Sequence, residues 1–107
     1  MRVHKIVTCV IPANGTISNT QLLEGAQLAA IYMPAAWDAA DLTFRVGLRS
    51  DDMKQLVDDA GAVKQIKVSA SKAVALSGPA LAGFVYVALV STVSQTSARS
   101  LTLVGLR

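Results

Sequence analysis

The chain reads as an all-β antiparallel β-sandwich of about eight short strands, with a jelly roll as one form of it. Three observations carry that reading. Apolar and polar residues alternate with period two along Leu42–Arg49 and, more weakly, along Val63–Ser69, the mark of half-buried strands. Four further runs, Val3–Ile11, Leu28–Met33, Phe84–Thr92 and Leu101–Leu106, are rich in β-branched and aromatic residues on both faces, a composition that favours strands. Nowhere does an apolar stripe of helical period last long enough for a major helix; Ser50–Val57 comes closest and runs into a turn.

Taken in order, Val3–Ile11 is a strand that ends at the turn signal Asn14-Gly15. Thr20–Glu24 is a short strand. Leu28–Met33 follows, closed by Pro34, and the Ala-rich stretch Ala35–Asp41 reads as a single helical turn capped by Asp38. In Leu42–Arg49, Leu42, Phe44, Val46 and Leu48 share one face while Thr43, Arg45, Gly47 and Arg49 share the other. Lys54–Val57 leads into Asp58-Asp59-Ala60-Gly61, a hairpin tip, and Val63–Ser69 returns with Ile66 and Val68 inward and Lys64, Gln65 and Lys67 toward solvent. Lys72–Leu76 is a short strand, Ser77-Gly78-Pro79 a turn, and Phe84–Thr92 a strand; Ser94–Ser97 is the loop before the closing strand Leu101–Leu106. Strands apolar on both faces are covered twice, by a second layer or by another subunit.

With 107 residues the natural reading is one domain, 1–107. Hydrophobic residues make up 52% and charged residues 16%, which is too apolar for disorder. So little charge leaves little polar covering, and some surface is expected to meet a partner. The longest apolar stretches, Leu28–Trp37 and Ala82–Val90, fall short of the ~18–20 residues that cross a bilayer, so no membrane role is expected. Arg2 and Lys5 precede only a short apolar run, a poor signal peptide. The net charge of +3 comes from scattered basic residues without an aromatic platform, so nucleic acid is not an expected partner.

Chemistry-bearing constellations are absent from the sequence, and no enzyme, catalytic residue, metal or cofactor is expected. Cys9 is the lone cysteine and His4 the lone histidine, too few for a disulfide or a zinc site within one chain. They lie five positions apart on one strand and face opposite sides, so they read as a buried thiol and a strand-edge histidine. The doublets Asp51-Asp52 and Asp58-Asp59 lack a calcium-loop pattern and read as turn-forming and solubilising. No serine sits in a nucleophile elbow, and no glycines form a phosphate loop. Trp37 and Tyr32 are the candidates for a ligand platform, against a reading of Trp37 as a plug over the end of the core. Tyr86 belongs to the core or to a subunit interface.

Specific strings then carry a resemblance. Ile11-Pro-Ala-Asn-Gly-Thr-Ile-Ser-Asn19, the strand Leu28–Met33, and Pro34-Ala-Ala-Trp-Asp-Ala-Ala-Asp-Leu-Thr-Phe44 resemble small structural proteins of tailed bacteriophages. The ending Ala98-Arg-Ser-Leu-Thr-Leu-Val-Gly-Leu-Arg107 is similar to the closing strand of that group. The likeness covers most of the chain, and Leu56–Val68 departs from it. It implies a non-enzymatic virion protein: a capsid decoration (cement) protein or the base of a head fibre. Such proteins are compact β-sandwiches, often trimers or dimers, that bind the outer capsid surface. The resemblance therefore implies the major capsid protein as partner, synthesis in the host bacterial cytoplasm and a place on the capsid exterior.

In that setting Tyr86, Val87 and Leu89 are the expected subunit contacts, and Arg45, Arg49, Lys64 and Lys67 the expected contacts to an acidic capsid surface. The competing readings are a carbohydrate-binding module at a fibre or tail tip, using Trp37 or Tyr32, and a head–tail connector or tail component.

Overall fold

A computed structural model describes residues 3–23, 25–76 and 84–106. Nine strands are formed among them: β1 (Val3–Ile11), β2 (Gln21–Leu22), β3 (Gln27–Tyr32), β4 (Leu42–Gly47), β5 (Lys54–Gln55), β6 (Gln65–Ile66), β7 (Ala73–Ala75), β8 (Tyr86–Ser91) and β9 (Arg99–Leu106). No helix occurs among the described residues. One sheet has the order β1-β9-β3-β7 and the other β2-β8-β4-β5, with β6 also paired to β4. Every pairing is antiparallel.

The order has a simple origin. The first strand pairs with the last, β2 with β8, β3 with β7, and β4 with β6, as in one long hairpin. Its successive pairs fall alternately in the two sheets. A hairpin rolled up in this way is a jelly roll, and the roll creates the lateral pairings β9·β3 and β8·β4. Rolling is what lets a ribbon of short strands bury one face of its longer strands, β1, β3, β4, β8 and β9.

The core is that shared interior. Cys9 and Ile11 of β1, Leu28 and Ile31 of β3, and Leu101 and Leu103 of β9 face Leu42, Phe44 and Val46 of β4 and Val87 and Leu89 of β8. Each is at most 4% exposed. Between them, Ile6, Thr8 and Val10 of β1 and Arg45 of β4 are exposed, the alternation a strand imposes. The Val3–Ile11 expectation matches β1 residue for residue. The hairpin tip also forms: Val57 bridges Val63, and the Asp58 carboxylate accepts the N–H groups of Ala60 and Ala62, each at 2.9 Å. Gly61, at φ 85°, supplies the left-handed residue the tip requires.

Two local expectations are corrected. Ala35–Asp41 forms no helical turn; Asp38 spends its carboxylate on Thr96 and Arg99, far along the chain, rather than on a helix N-terminus. The strand expected to run to Arg49 stops at Gly47, and Leu48 is 69% exposed instead of facing the core. A Cβ on Gly47 would lie 2.5 Å from the Asp52 carbonyl oxygen, so the chain turns there against its own backbone. The Ser77-Gly78-Pro79 turn and the side chain of His4 lie outside the described residues.

The outer edge of β1 is blunted. Asn19 Oδ1 accepts the Val10 N–H at 2.7 Å, the Asn19 N–H reaches the Val10 carbonyl at 3.3 Å, and Gln21 Nε2 donates to the Thr8 carbonyl at 2.6 Å. A partly occupied edge is a poor template for stray strand pairing.

Candidate functional site

The most elaborate polar structure lies at one end of the sandwich, where the β1–β2, β3–β4 and β8–β9 loops meet. Gln95 is 0% exposed. Its Oε1 accepts the Asp38 N–H at 2.9 Å, and its Nε2 donates to the Asp38 carbonyl and to Ser91 Oγ, both at 3.1 Å. Its backbone N–H donates to the Gly15 carbonyl at 3.1 Å, and its own carbonyl accepts the Asn14 N–H at 2.6 Å. One residue thus ties three loops that are distant in sequence, its side chain holding the β3–β4 loop and its backbone the β1–β2 loop. Asp38 extends the network: Oδ2 accepts the Thr96 N–H at 2.6 Å, and Oδ1 meets the Arg99 guanidinium at 3.3 Å. Among the described residues every buried side-chain nitrogen or oxygen is hydrogen-bonded, so this end is rigid rather than a set of waiting ligands.

The Thr96 backbone N–H, then the Thr96 side chain, and more weakly Arg99 hold the Asp38 carboxyl below its ordinary value, against a smaller opposing effect of desolvation. A depressed carboxylate stabilises the fold above the unfolded value of ~4, and that contribution is lost as pH falls through the lower folded value. Asp38→Asn is expected to flatten the loss of thermal stability below about pH 4, measured as the melting midpoint against pH. An acid limb as steep as in the parent would assign acid sensitivity to other carboxylates.

A cleft beside this end is lined by Trp37, Ala40, Asp41, Val68, Thr92 and Val93 among others. Its one carboxylate is engaged, Asp41 Oδ2 accepting from Gln65 Nε2 at 2.8 Å. Trp37 is half-buried against the core, and its indole N–H donates to the Ala40 carbonyl at 3.3 Å. That is the plug geometry. Tyr32 is 54% exposed and lines a different hollow with Ile6, Thr102 and Val104. The two aromatics do not form one platform.

The remaining expected residues divide as follows. Val87 and Leu89 are corrected: both are 0% exposed and belong to the core, with no surface left for a subunit contact. Tyr86 alternates with them and is half-buried on the outward side of β8. Arg45 is exposed on the outward face of the second sheet, paired in register with Ala88 and Gln55. Arg49 sits in the β4–β5 turn, 3.6 Å from Asp51, an exposed pair of little energetic consequence. Lys67 is exposed and Lys64 half-buried, on either side of Gln65. Lys64 and Lys67 flank β6, which pairs with the start of β4, while Arg49 lies in the turn beyond its end, so the four cations are not one patch.

Among the described residues no three His, Cys, Asp or Glu side chains are placed to hold a metal ion. Asp52 pairs with Lys54 Nζ at 2.7 Å, and Asp58 is occupied by its own turn. Cys9 is buried, and desolvation pushes its thiol up, beyond what the Ser18 hydroxyl offsets.

The surface missed by residue-level reasoning is the outward face of the β1-β9-β3-β7 sheet. Register aligns two rows across all four strands: Ile6, Val104, Ala30 and Ala75 in one, Thr8, Thr102, Tyr32 and Ala73 in the next. None of these eight positions is charged. The signal was the double-sided apolar character of β1 and β9, but only pairing shows that their outward halves are neighbours.

Comparison of the chain with protein-family models, with curated proteins and with solved structures found no match.

Proposed function

We propose that this chain is a non-enzymatic structural protein of a tailed-bacteriophage particle, a capsid decoration protein that binds the outer capsid surface as a homo-oligomer. The observation that carries the reading is the division of its surface. A jelly roll braced at one end presents one uncharged sheet face and, on the opposite sheet, a face bearing Arg45. A decorating subunit needs two unlike surfaces, one for its own copies and one for the shell. Of the strings that carry the phage resemblance, Ile11–Asn19 supplies the Asn14–Gly15 contacts, Leu28–Met33 forms most of β3, Pro34–Phe44 supplies Asp38 and opens β4, and the closing string supplies Arg99 and β9. Weak contacts repeated over a symmetric shell hold by avidity.

The deciding measurement is copy number in purified particles, relative to the major capsid protein. A ratio near one, or a simple fraction set by shell symmetry, is the expected result. A dozen copies or fewer would move the protein to the neck, tail or fibres, and absence from particles would end the virion reading. Arg45 and Arg49 are taken as the shell-facing charges. Substituting both by Glu is expected to slow capsid association about three- to tenfold at low salt, with the difference fading at high salt. Unchanged binding at low salt would remove both residues from the contact.

A further inference from the structure

We propose that Asn14 is a site of spontaneous covalent modification, gated by the braced end of the sandwich. While the loop is closed, the Asn14–Gly15 pair is held from reacting. When it opens, the Gly15 nitrogen attacks the Asn14 carboxamide, and the isoaspartyl link that results no longer fits the brace. The inference does not depend on where the protein resides. It follows from what the turn after β1 demands of two adjacent residues.

Pro12–Gly15 is a four-residue turn closed by the Gly15 N–H, which donates to the Pro12 carbonyl at 3.0 Å. Asn14 stands at its third position with φ 63°, in the left-handed region that glycine enters freely and asparagine more readily than most. Gly15 is fixed by space: a Cβ there would lie 2.8 Å from Pro12 Cγ and 3.1 Å from the Pro12 carbonyl oxygen. The turn thus favours asparagine followed by glycine, a pair that is chemically exposed. With no side chain on Gly15, nothing shields its nitrogen from the carboxamide one residue back. Asn14 lies at the surface, and among the described residues its carboxamide makes no hydrogen bond. The other asparagine, Asn19, is followed by the branched Thr20, and its Oδ1 is engaged by the Val10 N–H at 2.7 Å.

The reaction is an intramolecular acyl transfer. The Gly15 amide nitrogen gives up its proton and attacks Asn14 Cγ; the N–Cγ bond forms, the Cγ–Nδ2 bond breaks, and the nitrogen leaves as ammonia with the proton. Water then opens the five-membered imide. Opening at the original main-chain carbonyl leaves the chain running through Cγ, an isoaspartyl residue with one more backbone atom and a free carboxylate. Opening at Cγ leaves an ordinary aspartate. The closed loop blocks the first step, because the Gly15 nitrogen must swing about the Asn14 Cα–C bond and give up the proton it now shares with Pro12. Both residues are clamped against that swing: the Gln95 carbonyl accepts the Asn14 N–H at 2.6 Å, and the Gln95 N–H donates to the Gly15 carbonyl at 3.1 Å. One residue on, the Thr16 carbonyl accepts the Ser91 N–H at 2.7 Å. A reaction confined to the opened form runs at a rate set by that form's population. The product cannot reclose, since the extra backbone atom falls between the two groups that Gln95 grips.

The test is peptide mapping by mass spectrometry of the whole chain incubated at mildly alkaline pH, folded in buffer and unfolded in urea at the same temperature. Conversion at Asn14 is expected to be at least about tenfold slower in the folded chain, and to speed up as urea is raised below the unfolding midpoint. Folded and unfolded rates within about threefold of each other would overturn the gating. Unfolded chains that convert at Asn19 and not at Asn14 would overturn the site. Asn14→Gly keeps the left-handed turn and is expected to form no acidic product in this segment; a variant that still forms one would also overturn the site. Asn14→Asp adds the charge of the product without lengthening the backbone. The isoaspartyl form, separated by chromatography and refolded, is expected to melt below Asn14→Asp. Equal melting midpoints would overturn the claim that the modified loop cannot reclose.

Discussion

Gln95→Leu is expected to destabilise the fold by about 3–4 kcal/mol, out of the 5–15 kcal/mol typical of a whole domain. The change nearly conserves volume, so no cavity arises. What is lost is the amide. The Asp38 N–H and carbonyl are left without their partner, and Ser91 Oγ loses a donor. Each stranded buried polar group costs about 1–3 kcal/mol, more than a hydrogen bond contributes on balance when it forms. The backbone bonds from Gln95 to Gly15 and Asn14 survive the substitution, so the difference isolates the side chain. Urea unfolding would register it as a lower midpoint at unchanged slope. A loss under about 1 kcal/mol would mean that the backbone bonds hold the three loops unaided, or that water replaces the amide. Ser91→Ala should cost less, because Gln95 keeps both bonds to Asp38.

Phe44→Ala should have the largest effect of any apolar substitution, about 3–5 kcal/mol. Among the described residues Phe44 is the largest of the fully buried side chains, 1% exposed, and sits in register with Leu89 at the centre of the second sheet. Truncation removes the transfer free energy of the ring and leaves a void walled by the opposite sheet, which the β1·β9 and β3·β9 ladders hold in place. Phe44→Leu keeps most of the volume and should cost less than half as much. A void that collapses would reveal itself as a small loss for the alanine variant together with altered chemical shifts across both sheets. Equal losses for the two variants would show that ring shape, not volume, is what the site requires.

Strand existence was legible because period two is a local property. Leu42, Phe44 and Val46 announce an inner face, and Val3–Ile11 was bounded to the residue. Phase was not legible where a strand is apolar on both sides. In β8, Tyr86, Ala88 and Val90 are as apolar as Val87 and Leu89, so alternation alone offers no way to choose which set is inside, and two core residues were taken for an interface. Asp38 was taken for a helix cap because an Asp before an Ala-rich run satisfies that local rule. Its actual partners, Thr96 and Arg99, stand 58 and 61 positions away. Gln95 gave no signal at all: a polar residue in a Ser- and Thr-rich loop is ordinarily solvated, and only the closure of three loops over it buries its amide among Asp38, Ser91 and Arg99. The uncharged face belongs to the same class. Ile6, Val104, Ala30 and Ala75 become neighbours through pairings between strands from opposite ends of the chain. By itself, then, the sequence determined the all-β class, the existence of the main strands and the inward set Leu42, Phe44 and Val46, because pleat and side-chain chemistry act within a strand; where that strand ends, short of Leu48, it did not determine. Strand order, phase in the double-sided strands, the braced end and the aligned face were decided by tertiary structure, because register is a relation between segments far apart in the chain.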